Sequence, residues 1–351
     1  PPPGRLTPEP RINIAFLGCG RATRTHTGVL RKLAPEVGRF YASRTPATAE
    51  QYQRELQGAG AFGSYAEALA DPRVDAVVVA TTPDTHRALT LEALDANKHV
   101  VVEKPAFLRA ADFDRVRLVE AHIGRRVMVA ENYCYKPIAR ALRDAITSGA
   151  LGDVRFLSLV AVKQQRVHGW RDDPAVAGGG ALFEGGVHWV DLLANVGLEV
   201  ASVQGYRPGS AQSLERSMLV VVRYTNGGVG TLVHSWEVPS PLHGVRISRV
   251  YGTEGAAAFE SNGIFLQVTG KRRRLSFPGF RDITGNSAMW TDFLDVIRTG
   301  REPVMTTARA QRGLEIVEQA YATAASAPVS SRAEPLSSRV EPLSSRAERG
   351  I

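Results

Sequence analysis

The first third of the chain alternates short apolar runs with longer stretches in which apolar residues recur at helical spacing. Buried strands without polar alternation, joined by helices, are typical of a doubly wound parallel sheet. The pattern therefore predicts a doubly wound α/β domain over residues 12–135. The predicted strands are 12–17, 39–43, 74–80, 99–103 and 127–130. The predicted helices are 24–33, 48–56, 65–70, 85–96 and 112–121.

The pattern changes near residue 136. Strand-like segments now dominate, and Asn226–Gly227–Gly228 and Asn262–Gly263 are typical of hairpin turns. We expect an α/β domain over 136–328 that consists of a largely antiparallel sheet with helices attached. The predicted strands are 154–163, 204–207, 214–224, 229–238, 245–251, 256–260 and 264–269. The predicted helices are 139–147, 183–196, 286–299 and 308–325.

The two ends of the chain differ from this globular pattern. Residues 1–11 are rich in proline and predict a disordered arm. The segment 329–351 contains the heptapeptides SSRAEPL, SSRVEPL and SSRAERG in succession. Pro335 and Pro342 exclude the coiled coil that a period of seven suggests, because proline breaks a helix at a cost of about 3 kcal/mol. We expect a disordered repeat tail, since such units bury too little apolar surface to fold.

The composition is that of a globular protein, with 44% of the 351 residues hydrophobic and 22% charged. The longest apolar runs are strand-sized, whereas a membrane-spanning helix needs about 20 residues, so no membrane association is expected. Cys19 and Cys134 are the only cysteines. They are too few for a disulfide framework, which favours a cytoplasmic location. No cluster of His, Cys and carboxylate residues has the spacing of metal ligands, so no metal is expected.

The chain has a basic balance, with 43 Lys and Arg against 35 Asp and Glu and a formal charge of +8. The basic residues are spread along the sequence, and the one dense run, at 271–274, lies beside Gly270 as in an exposed hairpin. We therefore expect no nucleic-acid partner. An anionic small ligand accounts for part of the positive charge.

A glycine-rich segment follows the first predicted strand and carries Gly18, Cys19, Gly20 and Arg21. Glycines here permit a sharp turn and let backbone N–H groups approach a pyrophosphate at a helix N-terminus, where the helix dipole favours anions. The segment therefore predicts dinucleotide binding. Thr23 stands at the third glycine position of the pattern, which puts close packing of helix on strand in doubt.

The residues after the second predicted strand distinguish the two nicotinamide dinucleotides. An NAD site usually has an acid here, which accepts hydrogen bonds from the adenosine ribose. This chain has Ser43, Arg44 and Thr45 instead. Two hydroxyls and a guanidinium suit a 2′-phosphate, and no carboxylate repels it. We predict NADP(H) as the preferred cofactor, NAD(H) as the alternative, and Arg21 as a further contact to the phosphate.

Four further segments resemble a known family. They are TTPDTH at 81–86, EKP at 103–105, AENYCYKP at 130–137 and GGGALFEGGVHWVD at 178–191. Together with the glycine-rich segment, and in this order, they resemble the Gfo/Idh/MocA oxidoreductases, the group of glucose–fructose oxidoreductase and inositol dehydrogenase. The resemblance covers residues 12–325. It implies a dinucleotide-binding domain at 12–135 and a second α/β domain at 136–328, which has a large, open, mostly antiparallel sheet and serves substrate binding and oligomerisation. It also implies hydride transfer between a nicotinamide and a sugar, cyclitol or related polyol.

The resemblance also implies catalytic residues. The family's Glu–Lys–Pro motif supplies an active-site lysine, here Lys104, and its Asp-x-x-x-His motif supplies an acid/base pair, here Glu184 and His188. The residues themselves support both roles. A lysine at the carboxyl end of a parallel strand can polarise a carbonyl, and a histidine titrates near neutral pH and can take the proton of an alcohol.

Glu184 departs from the family pattern, which has Asp at this position. Its additional methylene changes the reach of the carboxylate by about 1.5 Å. Three roles therefore stay open: it contacts His188 from the same helix face, it contacts substrate, or it is an acid favoured by the dipole of a helix N-terminus.

Further candidates follow strand ends or precede the second glycine run. The expected additional cofactor contacts are Thr81, Thr82, His86, Glu103 and Asn132, and helix N-capping fits the threonines equally well. The expected substrate contacts are Tyr133, Lys163, His168, Trp170, Arg171 and Asp191. The glycines at 178–180 are expected to let substrate or nicotinamide come close.

Two smaller expectations concern local packing. His234 and Trp236 face one side of a strand, where packing on the sheet is a simpler expectation than substrate binding. The Lys104–Pro105 bond is expected to be trans, because about 5–6% of X–Pro bonds are cis.

The sequence thus predicts an NADP(H)-dependent oxidoreductase that acts on a carbohydrate-like alcohol or ketone, as a homo-oligomer (a dimer or tetramer) packed through the open sheet. Two alternatives stay open. One is a glycosidase of the same fold that oxidises, eliminates and re-reduces its sugar on a retained cofactor. The other is a non-catalytic, NAD(P)-binding regulator, against which Lys104 and His188 together argue.

Overall fold

Residues 11–166, 169–209, 214–240, 244–271 and 273–326 are described by the computed structural model. The predicted tail at 329–351 and all but the last residue of the predicted arm lie outside the described residues. The described chain builds one parallel and one mostly antiparallel sheet, which confirms the predicted fold class. None of the described helices is long and apolar enough to cross a membrane.

The first sheet is parallel. Its strands are β1 (Asn13–Leu17), β2 (Gly38–Ala42), β3 (Gly60–Phe62), β4 (Ala76–Val79), β5 (His99–Val102) and β6 (Val127–Val129). They lie in the order β3-β2-β1-β4-β5-β6. All side chains of β4 and β5 are buried, because helices cover both faces of the sheet. The five predicted strands are confirmed, whereas β3 was not predicted because its three residues give no apolar run.

Helices connect these strands and cover the sheet. They are α1 (Arg21–Leu33), α2 (Pro46–Glu55), α3 (Tyr65–Ala70), α4 (Pro83–Asp95) and α5 (Asp112–Ile123), and the short α6 (Asn132–Tyr135) follows β6. The Ser64 hydroxyl caps α3 by accepting from Glu67 N at 3.1 Å, and Gly124 ends α5 in the left-handed conformation at φ 74°. The five predicted helices are confirmed with shifts of up to three residues at their ends.

The strand order reverses at β1, which pairs with β2 on one side and β4 on the other. Connections to the two sides cross opposite faces of the sheet, so a crevice opens at the carboxyl ends of β1 and β4. This crevice positions the site described below.

The second sheet has eight strands. They are β7 (Val154–Val162), β8 (Val200–Tyr206), β9 (Ser217–Tyr224), β10 (Val229–Ser235), β11 (Ile247–Gly252), β12 (Ala256–Glu260), β13 (Leu266–Thr269) and β14 (Arg274–Ser276). Their order is β14-β13-β12-β11-β7-β10-β9-β8, and among the described strands β7 and β10 are the parallel pair. The seven predicted strands are confirmed. β8 starts four residues before the predicted 204–207, and the three-residue β14 was not predicted.

The second domain carries α7 (Pro137–Thr147), α8 (Pro174–Ala177), α9 (Val187–Asn195), α10 (Asn286–Thr299) and α11 (Thr307–Ser326). The predicted helix 183–196 begins as a π-helical turn, Leu182–Gly186, and continues as α9. α11 packs against α9 and β8, whereas α10 returns to α1 of the first domain. The two domains are therefore joined by packing as well as by the chain at Asn132–Tyr135.

One face of the second sheet carries these helices and the other is exposed. Phe156 on β7, Tyr251 on β11 and Val233 on β10 are 59%, 46% and 42% exposed. Their neighbours along each strand, such as Leu157 and Leu232, are buried under the helices. The open face is therefore apolar, and nothing in the described chain covers it.

Candidate active site

A cleft of about 440 Å³ opens at the carboxyl ends of the first sheet, beside the π-helical turn and α9. Its lining includes all three predicted catalytic residues, Lys104, Glu184 and His188. The predicted cofactor contacts that line it are Arg21, Thr81, His86, Glu103, Lys104 and Asn132. A larger groove of about 600 Å³ lies between α9, β8 and α11, away from every predicted site residue.

The glycine turn after β1 is built for close backbone approach. Gly18 has φ +106°, and a Cβ there would lie 2.7 Å from the carbonyl oxygen of Ala80, so no other residue fits without strain. α1 begins at Arg21 with no acidic residue in its first turn and no side-chain cap from Gly20. The N–H groups of this turn are therefore suited to an anion.

Thr23 does not weaken the packing of α1 on β1, contrary to the expectation from the missing third glycine. The side chain is buried, and its Oγ1 donates to the carbonyl oxygen of Gly18 at 2.6 Å. The hydroxyl thus fills the space and stabilises the glycine turn.

Ser43, Arg44 and Thr45 follow β2, as predicted, and this segment contains no carboxylate. The Ser43 hydroxyl accepts a hydrogen bond from Thr45 N at 3.2 Å, and Arg44 is exposed. The Cys19 thiol lies beside this strand end, 3.7 Å from the carbonyl oxygen of Ala42. Burial raises the pKa of Cys19 to about 11, so the thiol stays neutral and does not repel a phosphate.

Lys104 lies directly after β5 and reaches the second domain. Its Nζ donates to the backbone carbonyl oxygen of Glu184 at 2.9 Å, and its backbone N donates to Glu103 Oε2 at 2.9 Å. The ammonium is thereby held at the cleft wall without a carboxylate partner. The Lys104–Pro105 bond is cis, so the expected trans form is wrong, because the average frequency of X–Pro bonds does not describe this position.

A buried chain of hydrogen bonds holds Glu103. Trp290 Nε1 donates to His26 Nδ1 at 3.1 Å, so His26 Nε2 carries a hydrogen and donates to Glu103 Oε1 at 2.7 Å. Burial favours the protonated carboxyl, but the His26 hydrogen bond and the Lys104 charge outweigh burial and hold the pKa of Glu103 at about 2. Both carboxylate oxygens are used within the protein, so Glu103 positions the backbone of Lys104.

His86 lines the cleft but is almost completely buried. Its Nδ1 lies 3.0 Å from the carbonyl oxygen of Pro105, and its Nε2 lies 3.2 Å from that of Thr81. Burial lowers the pKa of His86, although the carbonyl oxygens favour the charged ring. The ring ties the loop after β4 to the loop after β5 and is not arranged for the predicted direct contact to a cofactor.

His188 does not pair with Glu184. Its Nδ1 lies 2.6 Å from Oε1 of Glu131, a buried carboxylate at the end of β6. The imidazole also stacks on the ring of Tyr133, with 4.3 Å between centroids and 12° between planes. The first of the three roles left open for Glu184 is therefore wrong: the π-helical turn replaces the regular turn that would place the two side chains together.

Glu184 instead pairs with Arg171, which donates from Nε to Glu184 Oε1 at 2.9 Å. Both residues line the cleft, and Glu184 is buried. The pair brings a predicted catalytic residue and a predicted substrate contact together. Its position at the cleft suits recognition of hydroxyl groups, which both accept and donate hydrogen bonds.

Glu215 anchors the turn that carries Glu184. Its Oε1 accepts from Leu182 N at 2.7 Å and from the Tyr321 hydroxyl at 2.8 Å. Burial raises the pKa of Glu215. The glycines at 178–180 permit close packing of neighbouring side chains, and the expected approach of a ligand to them stays a prediction. A Cβ at Gly180 would collide with Glu215.

Replacing Gly180 by alanine is therefore expected to destabilise the protein by about 1–3 kcal/mol, the usual cost of overpacking a well-packed site. Chemical denaturation measures the change. Gly28, in α1, is the matched control, because a Cβ there meets nothing within 4 Å. Gly28→Ala is expected to stabilise by about 0.4–1 kcal/mol. Equal stability of Gly180→Ala and the parent would contradict the packing described for Glu215.

The remaining predicted residues are distributed as follows. Asp191 is buried, does not line the cleft and accepts a hydrogen bond from Asn195 Nδ2 at 2.7 Å, and its contact to substrate stays a prediction. Lys163 is exposed and bonds Gln165 Oε1 at 3.0 Å, also away from the cleft. His168 lies outside the described residues, and Trp170 belongs to a 3₁₀ turn, Gly169–Asp172.

The residues after the other strand ends hold loops together. The Thr81 and Thr85 hydroxyls bond each other at 2.6 Å, and Thr82 precedes α4 without a side-chain cap, so the capping alternative is wrong for it. Asn132 Nδ2 donates to the carbonyl oxygen of Thr284 at 2.6 Å. Each loop thus presents a fixed wall to the cleft.

His234 and Trp236 pack within the second sheet, as the first of their two expected roles predicted. Both are buried, and their rings lie 6.0 Å apart. Burial lowers the pKa of His234 to about 3, which keeps the ring neutral. The described residues contain no group of three or more potential metal ligands among His, Cys, Asp and Glu.

Sequence reasoning missed three residues that hold the site: Glu131, Glu215 and His26. Glu131 directly follows a predicted strand, as does Lys104, and that position was the available signal. His26 and Glu215 gave no signal, because their partners are far away along the chain.

Comparison with protein families matches both halves of the chain. Residues 12–131 match the family described as "Oxidoreductase family, NAD-binding Rossmann fold", and residues 139–258 match the "GFO/IDH/MocA C-terminal domain". The chain belongs to the Gfo/Idh/MocA family of oxidoreductases. Its first domain is accordingly a NAD-binding Rossmann fold, with the glycine turn and the β1–β4 crevice where that fold requires them.

Two curated relatives in this family are named reductases. The chain is 30% identical over 202 residues to 1,5-anhydro-D-fructose reductase of Ensifer adhaerens, covering 55% of this chain and 59% of the relative. It is 29% identical over 245 residues to dTDP-3,4-didehydro-2,6-dideoxy-alpha-D-glucose 3-reductase of Saccharopolyspora spinosa, covering 67% and 73%. The first match thus spans less than two thirds of the relative.

A solved structure agrees in fold. Levoglucosan dehydrogenase, in complex with NADH and levoglucosan, superimposes with a TM-score of 0.79 at 20% identity, over 90% of this chain and 97% of that one. At this identity the likeness concerns the architecture of this Gfo/Idh/MocA member and not its substrate.

Proposed function

We propose that this protein is an NADP(H)-dependent oxidoreductase that transfers a hydride between the nicotinamide and a carbohydrate-like alcohol or ketone. The observation that carries the proposal is that Lys104 and His188 line one cleft at the carboxyl ends of the parallel sheet. Each is fixed there, the lysine by the carbonyl of Glu184 and the histidine by Glu131.

The residues present fit a nicotinamide dinucleotide. Gly18 permits the sharp turn, Gly20 has open space beside its backbone for a pyrophosphate, and the uncapped first turn of α1 offers N–H groups to the pyrophosphate oxygens. When bound, the cofactor supplies or accepts the hydride. Arg21, Thr81 and Asn132 line the cleft that the nicotinamide half would occupy.

The chain's own residues supply the remaining chemistry. In oxidation, the hydroxyl proton passes to Nε2 of His188 as the C–H bond breaks and the C=O bond forms. The Lys104 ammonium faces the reacting oxygen and stabilises the negative charge that develops on it. The Arg171–Glu184 pair holds other hydroxyl groups of the substrate. In reduction the same steps run in reverse, with His188 as the acid.

A screen of coenzyme absorbance tests the function. Sugars and cyclitols are offered with the oxidised coenzymes, and ketoses and anhydro-sugar ketones with the reduced ones. We expect turnover within one of these classes. Cleavage of a glycoside without net coenzyme change would favour the glycosidase alternative, and coenzyme binding without turnover of any of these compounds would favour a regulator.

The preference for NADP(H) rests on Arg44, Ser43 and Thr45. Arg44→Ala is expected to lower kcat/KM for NADPH by about 10–100-fold, because a hydrogen bond to a charged group contributes about 1.5–3 kcal/mol. The value for NADH is expected to change by less than about twofold, since NADH lacks the phosphate. Steady-state kinetics with both coenzymes measure the effect.

Arg54→Ala is the control for this prediction. Arg54 lies on the next helix and pairs with Glu50 in solvent, so its loss leaves both coenzymes unaffected. An equal fall for NADPH and NADH in Arg44→Ala, or wild-type kinetics that favour NADH, would overturn the NADP(H) preference.

We also propose that a second copy of the chain covers the open face of the second sheet. Large exposed apolar surfaces are typical of interfaces, and Phe156, Val233 and Tyr251 form such a surface. Light scattering is expected to show a dimer or tetramer, and Phe156→Glu is expected to shift it towards the monomer. A monomeric parent protein would contradict this assignment.

A further inference from the structure

We propose that Glu131 is the residue that positions His188 for proton transfer, and that it does so beside a second buried carboxyl group, Asp191, which keeps its own proton. The inference rests on the proposed function in taking His188 as the group that exchanges a proton with the substrate. It assigns a positioning residue at the end of β6, outside the Glu184–x–x–x–His188 motif.

The His188 ring is fixed from two sides. Glu131 Oε1 lies 2.6 Å from Nδ1, and the ring of Tyr133 stacks on the imidazole. An ionised carboxylate accepts hydrogen bonds only, so Nδ1 carries the hydrogen. Nε2 then has the lone pair, and no described residue bonds it. This is the tautomer that a base needs toward a substrate in the cleft.

Glu131 is a nearly inaccessible carboxylate. Its Oε1 also accepts from Tyr133 N at 3.1 Å, whereas its Oε2 is buried and has no hydrogen-bond partner in the described part of the chain. A buried carboxylate with an oxygen that accepts no hydrogen bond destabilises the fold unless a cation nearby compensates its charge. Lys136 is one cation whose charge interacts with Glu131, and the imidazolium that forms when His188 takes up a proton is a second, in direct contact with Oε1.

Asp191 lies one turn after His188 on α9 and is also buried. It and Glu131 line the same small void of about 20 Å³, room for roughly one water molecule. Burial, and then the charge of Glu131, raise the pKa of Asp191 to about 7. Two carboxyl groups that share a site do not both ionise readily, so burial beside Glu131 favours the neutral form of Asp191.

The other charged and titratable groups around the pair come from four elements. They are Lys104 after β5, Cys134 and Lys136 around α6, Arg143 on α7 and Arg309 on α11. Arg309 and Arg143 lower the pKa of Asp191 without overcoming burial. Burial lowers the pKa of Lys136 to about 8, although Glu260 and Glu131 favour its charged form. Burial also keeps the Cys134 thiol neutral by raising its pKa to about 12.

The pair therefore stabilises the charged form of His188 at the moment of transfer. In oxidation, the hydroxyl proton moves to Nε2 and the Nδ1 hydrogen stays in place. The new positive charge lies 2.6 Å from the Glu131 carboxylate, and Asp191 keeps its own proton. No proton needs to leave the buried pair, so Glu131 orients and stabilises but is not itself a base.

The first test reads the tautomer and needs no substrate. Protein labelled with ¹⁵N in its histidines is examined by long-range ¹H–¹⁵N NMR, and the His188 signals are assigned by their loss in His188→Ala. We expect the Nδ1–H tautomer for His188, and in Glu131→Gln a shift of population toward Nε2–H. His26 is the internal reference for Nε2–H, because Trp290 donates to its Nδ1. An Nε2–H tautomer for His188 in the parent protein would overturn the proposal.

The second test is a double-mutant cycle on kcat, run with whichever sugar or ketone the coenzyme screen identifies. Glu131→Gln is expected to lower kcat by about 10²-fold or more, and to cause little further loss in a His188→Ala background. Glu184→Gln is the matched control, and its effect is expected to add to that of His188→Ala, since Glu184 pairs with Arg171. Additive losses for Glu131→Gln and His188→Ala would overturn the proposal.

These two tests separate the inference from the proposed function. If the NMR shows the expected tautomer while no substrate is turned over, the proposed function fails and the positioning of the ring by Glu131 stands. If a substrate is turned over but the tautomer is Nε2–H, the function stands and Glu131 is excluded.

The protonation of Asp191 is tested by the pH dependence of the protein's stability. A carboxyl whose pKa is raised in the folded state binds more protons there than in the unfolded chain, where its pKa is about 3.9. Between about pH 4 and the folded value of about 7, stability therefore falls as the pH rises. Asp191→Asn is expected to remove this slope in urea denaturation while the Nδ1–H tautomer persists. An unchanged slope would overturn the placement of the proton on Asp191.

Discussion

Replacing His188 by alanine is expected to lower kcat by about 10²–10⁴-fold, the usual contribution of a positioned general acid or base. Glu131 and Tyr133 hold the imidazole ring in place. Its removal takes away the group that accepts the hydroxyl proton and then carries it. Because His188 lies on α9 of the second domain, whereas the glycine turn precedes α1 of the first, coenzyme affinity is expected to stay within about threefold. Steady-state kinetics and fluorescence titration of the reduced coenzyme measure the two quantities.

Coenzyme binding supplies the control for His188→Ala, because a variant that binds the reduced coenzyme as the parent does has kept the fold of its first domain. A His188→Ala variant with full activity would exclude His188 as the base.

Replacing Lys104 by methionine is expected to lower kcat by about 10²–10³-fold, the typical effect of removing one donor to a developing oxyanion. Methionine keeps much of the length of the side chain but cannot donate a hydrogen bond or carry a charge. The Glu184 carbonyl that accepts from Nζ at 2.9 Å loses its partner, so a moderate loss of stability is also expected. Kinetics and chemical denaturation together separate the two effects.

Lys271→Met is the matched control for the lysine variant. Lys271 is exposed, pairs with Glu254 in solvent and lies in the second sheet's hairpin, so its loss is expected to change kcat by less than about twofold. A Lys104→Met variant that resembles this control in kcat would remove the lysine from the mechanism.

The sequence predicted the first domain well because its signals are local. Uninterrupted runs such as Ala76–Val79 form buried strands in the structure, and Tyr65–Ala70 is a helix with the predicted ends. The exception is β3, whose three residues form no apolar run that would predict a strand. It forms because the edge of β2 is available to pair. The glycine turn was predictable for the same local reason.

The sequence predicted which catalytic residues line the candidate site, but it did not predict which side chains bond each other there. Lys104 and His188 line the cleft as the motifs indicated. The partner of His188 was assigned to Glu184 by spacing on a helix, and the π-helical turn at Leu182–Gly186 invalidates that spacing. Glu131 comes from another domain, 57 residues away along the chain, and no periodicity relates the two.

The surroundings of Asp191 could not be predicted from the sequence either. Its position one turn after His188 indicated a place at the substrate, yet it faces the buried void behind the ring. A residue's direction within a helix depends on what packs against that helix, here α11, and packing between distant segments is not encoded in local patterns.

The most direct measurement is a crystal structure of the protein with reduced coenzyme bound. We expect the pyrophosphate on the amides that follow Gly18, a 2′-phosphate beside Arg44, and the dihydronicotinamide ring in the cleft between Thr81 and His188, with the Lys104 ammonium and the His188 Nε2 directed to the same open space. A coenzyme bound elsewhere, or a lysine and histidine that turn away from its ring, would contradict the enzyme assignment.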